Sequence, residues 1–359
     1  MKLALGPFLW GARRDLWIFG GSFALPLLLV LLAELFGTPN RELPEWAFLA
    51  FVVGVDVAHV YATLFRTYLD REELRRHWLR YALAPLLAYA AAAALWAESP
   101  LALFRALAYL ALWHFVRQQA GWVALYRARA GDKSVRTRVI DGLAVYSATL
   151  FPLLVWHAAP ESRRFAWFMA GDFVAASGLA VLVPWARAVW LLALATFVLE
   201  QLRKAWSARQ LELGKSLLVL GTALTWYVGI VATNGDFEFT VTNVLPHGVP
   251  YLALLYFYAR ARRREAPRAA GSQLVSAGLL GFLGLCLLAA LLEEGAWARF
   301  VFHDHAGVFG ASELGRGALA LLAPLLVVPQ AVHYALDGLL WRRGDTAERP
   351  AQRAALGLV

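Results

Sequence analysis

The chain has 359 residues, 60% of them hydrophobic and only 16% charged, with a mean hydropathy of +0.55. That balance excludes an ordinary soluble domain and indicates a polytopic membrane protein. A net charge of +9 raises the question of nucleic acid, but Lys and Arg gather at the ends of apolar runs, as they do in cytoplasmic loops, so no nucleic-acid partner is expected. The single cysteine, Cys286, lies inside an apolar run, so neither an intramolecular disulfide nor a Cys-based metal site is available.

Taken in order, the apolar runs give about ten spans, each near the roughly 20 residues a bilayer requires. They cover 17–36, 46–65, 81–98, 101–126, 139–158, 183–202, 214–234, 239–259, 273–292 and 317–340. The first lacks a small-residue cleavage site and is too long for a signal-peptide core, so it is expected to be retained. Basic clusters at Arg13-Arg14, 66–80, 127–138, 203–215, 260–268 and Arg342-Arg343 alternate with short or acidic loops such as Asn234-Gly-Asp236 and Glu293-Glu294, with Arg163-Arg164 as the exception. The alternation places both termini in the cytoplasm. The expected fold is therefore an all-α transmembrane bundle, one domain over 1–359. The Ala, Leu and Arg bias resembles that of a GC-rich bacterial genome, which points to the inner membrane.

Two stretches sit outside this scheme. Residues 165–182 are apolar but broken by Gly171-Asp172 and Ser177-Gly178, which fits an interfacial, re-entrant or eleventh crossing segment. Residues 296–312, containing His303-Asp-His305, are expected to form an outer loop with a possible dip into the bilayer. Such a His-x-His pair suits either metal ligation from a loop or simple solvation.

Within the spans, the polar residues are few and patterned. Asp56, His59, Thr63 and Arg66 recur at spacings of three, four and three, so a helix carries all four on one face. Ionisable groups at bilayer depth cost several kcal/mol unless partnered, and normally point into the bundle. Four of the eight histidines, His59, His114, His247 and His333, fall in even-numbered spans. At about 1.5 Å per residue, His59 and His333 lie on the order of 10 to 14 Å above their basic flanks, His247 nearer 20 Å, and His114 between. Arg117 and Gln118 lie one turn from His114, and Asp337 one turn from His333. Asn243 and two prolines bracket His247, and Pro329 precedes His333 by a turn. Proline frees a backbone carbonyl, which at membrane depth is tolerated where it lines a site or is repacked by neighbours.

Imidazole and carboxylate without thiolate suit iron, zinc, copper or manganese. The expected ligands are His59, His114, His247 and His333. Asp56 and Asp337 would ligate directly or orient imidazoles, with Arg117 beside them as a catalytic candidate. Arg66, Gln118 and Asn243 would hold an anionic head group or a cofactor. On these histidines and acids the chain resembles, at the level of class, the histidine-rich membrane oxygenases: fatty-acid desaturases and hydroxylases, and bacterial carotene-cleaving dioxygenases. It has none of the His-x-x-His-His boxes of the desaturases, and His303-Asp-His305 is its only close pair. The resemblance implies a non-haem iron oxidoreductase that activates dioxygen, takes a lipid or isoprenoid-like substrate from the membrane and is served by an electron donor. Two further readings stay open: a b-type haem electron-transfer protein with two histidines per haem, and a proton-coupled transporter relaying protons through Asp56, Asp337 and His333.

Overall fold

The computed structural model describes residues 4–36, 42–341 and 350–358. The described residues are almost wholly helical, apart from a short parallel pairing of Ala4–Leu5 with Gln210–Leu211. Among the described residues, eight helices are long and apolar enough to cross a membrane: α1 (Ala12–Leu35), α2 (Glu45–Arg66), α3 (Trp78–Glu98), α5 (Val135–Ala158), α6 (Ser177–Ser207), α7 (Leu213–Ala232), α9 (Ala270–Phe302) and α10 (Arg316–Leu340). The other two expected spans are also helical, as α4 (Pro100–Arg129) and α8 (Asp236–Glu265). They are more polar than the rest, and for α8 the reason is visible. Residues 237 to 248 are all buried, and a helix enclosed by protein can carry Glu238, Asn243 and His247 without exposing them to lipid.

Two compact units share the chain. The first comprises Met1–Leu43, Phe115–Pro250 and Leu356–Val359; the second comprises Pro44–His114 and Tyr251–Ala355. The division falls inside α4 and α8, so each of those helices serves both units.

In the first unit, α7 packs closely because it is notched by glycines. A Cβ at Gly214 would stand 2.5 Å from Tyr126 of α4, one at Gly221 2.5 Å from Phe23 of α1, and one at Gly229 1.9 Å from Thr242 of α8. Small residues at such crossings let helix backbones approach where no hydrophobic effect drives them together. Inside the same unit, Lys215, Asp141 and Glu212 are buried, with Lys215 Nζ 2.9 Å from Asp141 and 2.7 Å from Glu212. Lys204 links Glu212 to Asp132 at 2.8 Å each. Glu200 pairs with Arg203 and Arg136.

Two loop expectations are revised here. Residues 165–182 form no helix of their own that crosses: Phe165 and Phe173 pack on Trp156, the Asp172 carboxylate accepts from the Phe168 and Met169 amides, and Ser177–Leu182 is the 3-10 first turn of α6. Burial of Asp172 pushes its carboxyl above the ordinary range despite those bonds. The acids Glu293-Glu294 are not in a loop, because α9 continues to Phe302. Glu293 is buried and held by the Tyr61 hydroxyl at 2.5 Å and Gln330 Nε2 at 3.4 Å, partners that were not evident from spacing along the chain. The helix ends at His303 and His305, both with left-handed backbone (φ 56° and 48°), and His305 stacks on Phe48 at 3.8 Å. Arg342-Arg343 lie outside the described residues.

The second unit has a core of Tyr81, Val332, Leu336 and Leu340 where α3 meets α10. Its α2 is irregular: Phe48–Val57 is wound as a π-helix and Thr63–Arg66 as a tight 3-10 turn. Unusual winding of this kind often marks functional positions, and His59 and Asp56 sit at the change from one form to the other.

Candidate metal centre

Three helices of the second unit each contribute one histidine to a single buried point: His59 from α2, His114 from α4 and His333 from α10. Their rings approach at centroid distances of 4.9 Å for His59 and His333, 4.6 Å for His114 and His333, and 6.4 Å for His59 and His114. The closest approach is between Nε2 of His333 and Nε2 of His114, at 3.2 Å. All three are at most 3% exposed.

What surrounds these rings determines which nitrogens carry protons. Nδ1 of His333 lies 2.7 Å from Thr63 Oγ1, and Thr63 Oγ1 lies 3.3 Å from the Tyr251 hydroxyl. Tyr251 in turn hydrogen-bonds Asp337. Asp337 also accepts from Trp341 Nε1 at 2.9 Å and stands 3.5 Å from Nδ1 of His114. A carboxylate only accepts, so the donor direction runs outward from it: Tyr251 donates to Asp337, Thr63 to Tyr251, and His333 Nδ1–H to Thr63. Nδ1 of His114 faces Asp337 at 3.5 Å. With both Nδ1 atoms protonated, the two Nε2 atoms would face each other as lone pairs at 3.2 Å, an arrangement that a cation between them relieves.

The spacing fits one. Nitrogens bound at 2.0–2.1 Å to a shared metal stand about 3.0 Å apart at a right angle and about 3.4 Å apart at the tetrahedral angle. Oxygen partners behind the ligating imidazoles, which raise their basicity and fix their orientation, are the usual support of such sites. In the first unit, the His247 ring stacks on Phe115 at 3.5 Å. Phe115 directly follows His114 in α4, and Tyr251 follows His247 by one turn of α8. One ring nitrogen from each of His59, His114 and His333 lies within 4.8 Å of the others, close enough to bind a metal ion.

The other residues singled out from sequence are distributed differently. Asp56 stands 3.7 Å from Nδ1 of His59, beyond hydrogen-bond length but on the same helix face. Asp337, one turn from His333 along α10, faces His114 on another helix instead, and Thr63 takes the position behind His333. Arg66 is buried, with Nη1 2.7 Å from Glu73 and Nη2 donating to Gln352 at 3.0 Å, so its charge is already matched within the protein. Arg117 is exposed and donates to the Tyr146 hydroxyl. Gln118 is buried, and among the described residues its amide has no hydrogen-bond partner. Asn243 donates to the Phe239 carbonyl one turn back in its own helix. His157 contacts the Leu153 carbonyl and stacks on Phe173, and His77 lies 3.9 Å from Glu73.

Tyr251, Glu293, Tyr61 and Gln330 did not stand out in the sequence. Two of them carried a signal: Tyr251 is four residues after His247, and Gln330 three before His333, so each shares a helix face with its histidine. The chain matches no protein-family model, no curated protein and no solved structure.

Proposed function

We propose that this chain is a membrane-embedded, metal-dependent oxidoreductase acting on a lipid-like substrate, with His59, His114 and His333 as ligands of one non-haem metal. The observation that carries the reading is the approach of His114 Nε2 to His333 Nε2 at 3.2 Å, with Asp337 3.5 Å behind Nδ1 of His114 and Thr63 2.7 Å behind Nδ1 of His333. An all-imidazole donor set suits iron, copper or zinc. Iron with an open position supplies dioxygen activation, and burial among membrane helices favours substrates that arrive through the lipid.

The chain's own residues have definable parts. Asp337 fixes the His114 tautomer directly and the His333 tautomer through Tyr251 and Thr63. That path also connects the centre to a carboxylate able to hold or release a proton. Asp56 occupies the corresponding place beside His59. Oxidation of a C–H bond to an alcohol by dioxygen consumes two electrons and two protons and releases water, so an external electron donor is part of the reading. An orientation with the basic ends in the cytoplasm of a bacterial cell would put that donor on the inner side.

A haem arrangement has less support. Two axial histidines at ~2.0 Å bonds stand about 4 Å apart with a macrocycle between their rings, whereas His114 and His333 are 3.2 Å apart and tilted by 69°. The deciding measurement is elemental analysis with an absorption spectrum on detergent-purified protein, followed by oxygen uptake with added lipids and a reductant. Stoichiometric iron and lipid-dependent uptake support the reading. A Soret band, or no metal after expression with metal supply, overturns it.

A further inference from the structure

We propose that the second unit binds a long-chain fatty carboxylate, one chain per protein, in a groove between α3, α4 and α10, with the carboxylate at Arg80. The groove has a volume of about 490 Å³. Its floor and walls are apolar throughout, and Arg80 is the sole polar residue lining it. Alanines form half of the α3 wall, at 84, 88, 91 and 92, and Ala331 and Ala335 continue it on α10. Truncated side chains on both helices leave a slot where larger ones would close the space.

The dimensions select a single chain. From Arg80 to Leu95 is fifteen residues, about 22 Å of helix at 1.5 Å each. Space of ~30 Å³ per water-sized group gives room for roughly sixteen such groups in 490 Å³, one alkyl chain and not two. The polarity selects the head. Arg80 is half-buried at the α3 end that begins near Arg75 and Arg76, and it makes no ion pair among the described residues. A guanidinium there complements a carboxylate through charge-assisted hydrogen bonds.

The groove also leads toward the histidines. Leu107 and Leu110 line it from α4, and His114 follows on the same helical stripe, seven residues after Leu107 and four after Leu110. On α10, Val332 lines the groove while its neighbour His333 faces the centre. The chain thus lies along helices that carry two of the ligands. As a binding site the groove stands independently; that the bound carboxylate is the substrate rests on the metal-centre reading.

The test uses the full-length protein in phosphatidylcholine nanodiscs, with binding of radiolabelled palmitate and of hexadecanol, and metal content measured on the same samples. The expected result is saturable binding of one palmitate per chain. Arg80→Gln weakens palmitate about tenfold while leaving hexadecanol unchanged, since only the charged head is lost. Ala88→Trp fills the slot and removes binding of both, and Leu86→Trp, on the lipid-exposed side of the same helix, alters neither. A monodisperse wild-type elution volume and unchanged helical circular dichroism in these variants show that they fold. No saturable palmitate binding by the wild type, or wild-type binding by both Ala88→Trp and Arg80→Gln, overturns the proposal, as does a dimer whose contact covers Ala88. Palmitate bound without metal leaves the groove assigned and removes the oxidoreductase reading; metal without palmitate does the reverse.

Discussion

Nε2 of His114 and Nε2 of His333 face each other across 3.2 Å, with Asp337 3.5 Å from Nδ1 of His114 and Thr63 Oγ1 2.7 Å from Nδ1 of His333. Neither helix alone produces this. His114 has the carboxylate of α10 behind it, and His333 has the hydroxyl of α2.

Removing a ligand tests the centre most directly. His114→Ala, His333→Ala and His59→Ala are each expected to lose bound metal entirely while still inserting into the membrane. His77→Ala retains it, since His77 lies beside Glu73, away from the cluster. Metal per protein by mass spectrometry decides the matter, and equal content in all four variants would contradict the assignment.

Loss of the supporting hydrogen bonds should be graded. Asp337→Asn replaces a pure acceptor with an amide that also donates, and Tyr251→Phe cuts the path between Thr63 and Asp337. Each is expected to lower metal affinity by about 10- to 100-fold without abolishing binding. Chelator competition measures this, and wild-type affinity in both variants would mean that the tautomers are set in another way.

Arg66 is expected to affect stability and not the metal. Replacing it with Met leaves the Glu73 carboxylate buried without its guanidinium, a loss of about 3–5 kcal/mol for broken buried pairs. The double variant with Glu73→Gln should recover much of that loss. Thermal unfolding in detergent reads both, and metal content in the folded fraction should match that of the wild type.

Acid should loosen the turn between α2 and α3 through Asp70. Burial alone would raise its pKa, but hydrogen bonds from Tyr258 and Arg262 outweigh burial and hold the carboxyl below the ordinary range. The folded value is thus lower than the unfolded one, so the stabilisation is complete above the unfolded pKa of ~3.9 and is lost as pH falls from there through the folded value. Asp70→Asn should be less stable than wild type at neutral pH, and the difference should shrink below about pH 4. A difference that stays constant from pH 7 to pH 3 would rule this out.

Gly229 is expected to tolerate no side chain. A Cβ would stand 1.9 Å from Thr242 Oγ1, so Gly229→Ala should cost about 1–3 kcal/mol through overpacking. Adding Thr242→Ala should restore part of that stability. Equal melting temperatures for wild type and Gly229→Ala would show that the contact relaxes freely.

Eight of the ten expected spans are, among the described residues, helices long and apolar enough to cross a membrane, legible because a bilayer imposes length and polarity on each span by itself; the other two are helical but more polar. The polar stripe of α2 was equally legible: Asp56, His59 and Thr63 are neighbours on one helix, and local spacing determines that. Reasoning along a single helix failed where partners lie far apart in sequence. Glu293 read as a loop acid because Tyr61, its hydrogen-bond donor, is 232 residues away. Asp337 read as the partner of His333, one turn off, although it faces His114.

By itself, the sequence determined that the chain is helical, that its apolar runs are long enough to cross a membrane, and that His59 and His333 lie within such runs, since each of these follows from composition and period within one segment. Only the tertiary structure decided that His59, His114 and His333 converge, which oxygen stands behind which ring, and that Arg66 is matched by Glu73. Those outcomes depend on the order in which helices pack, and that order is set by contacts such as Gly229 with Thr242 that no single helix encodes.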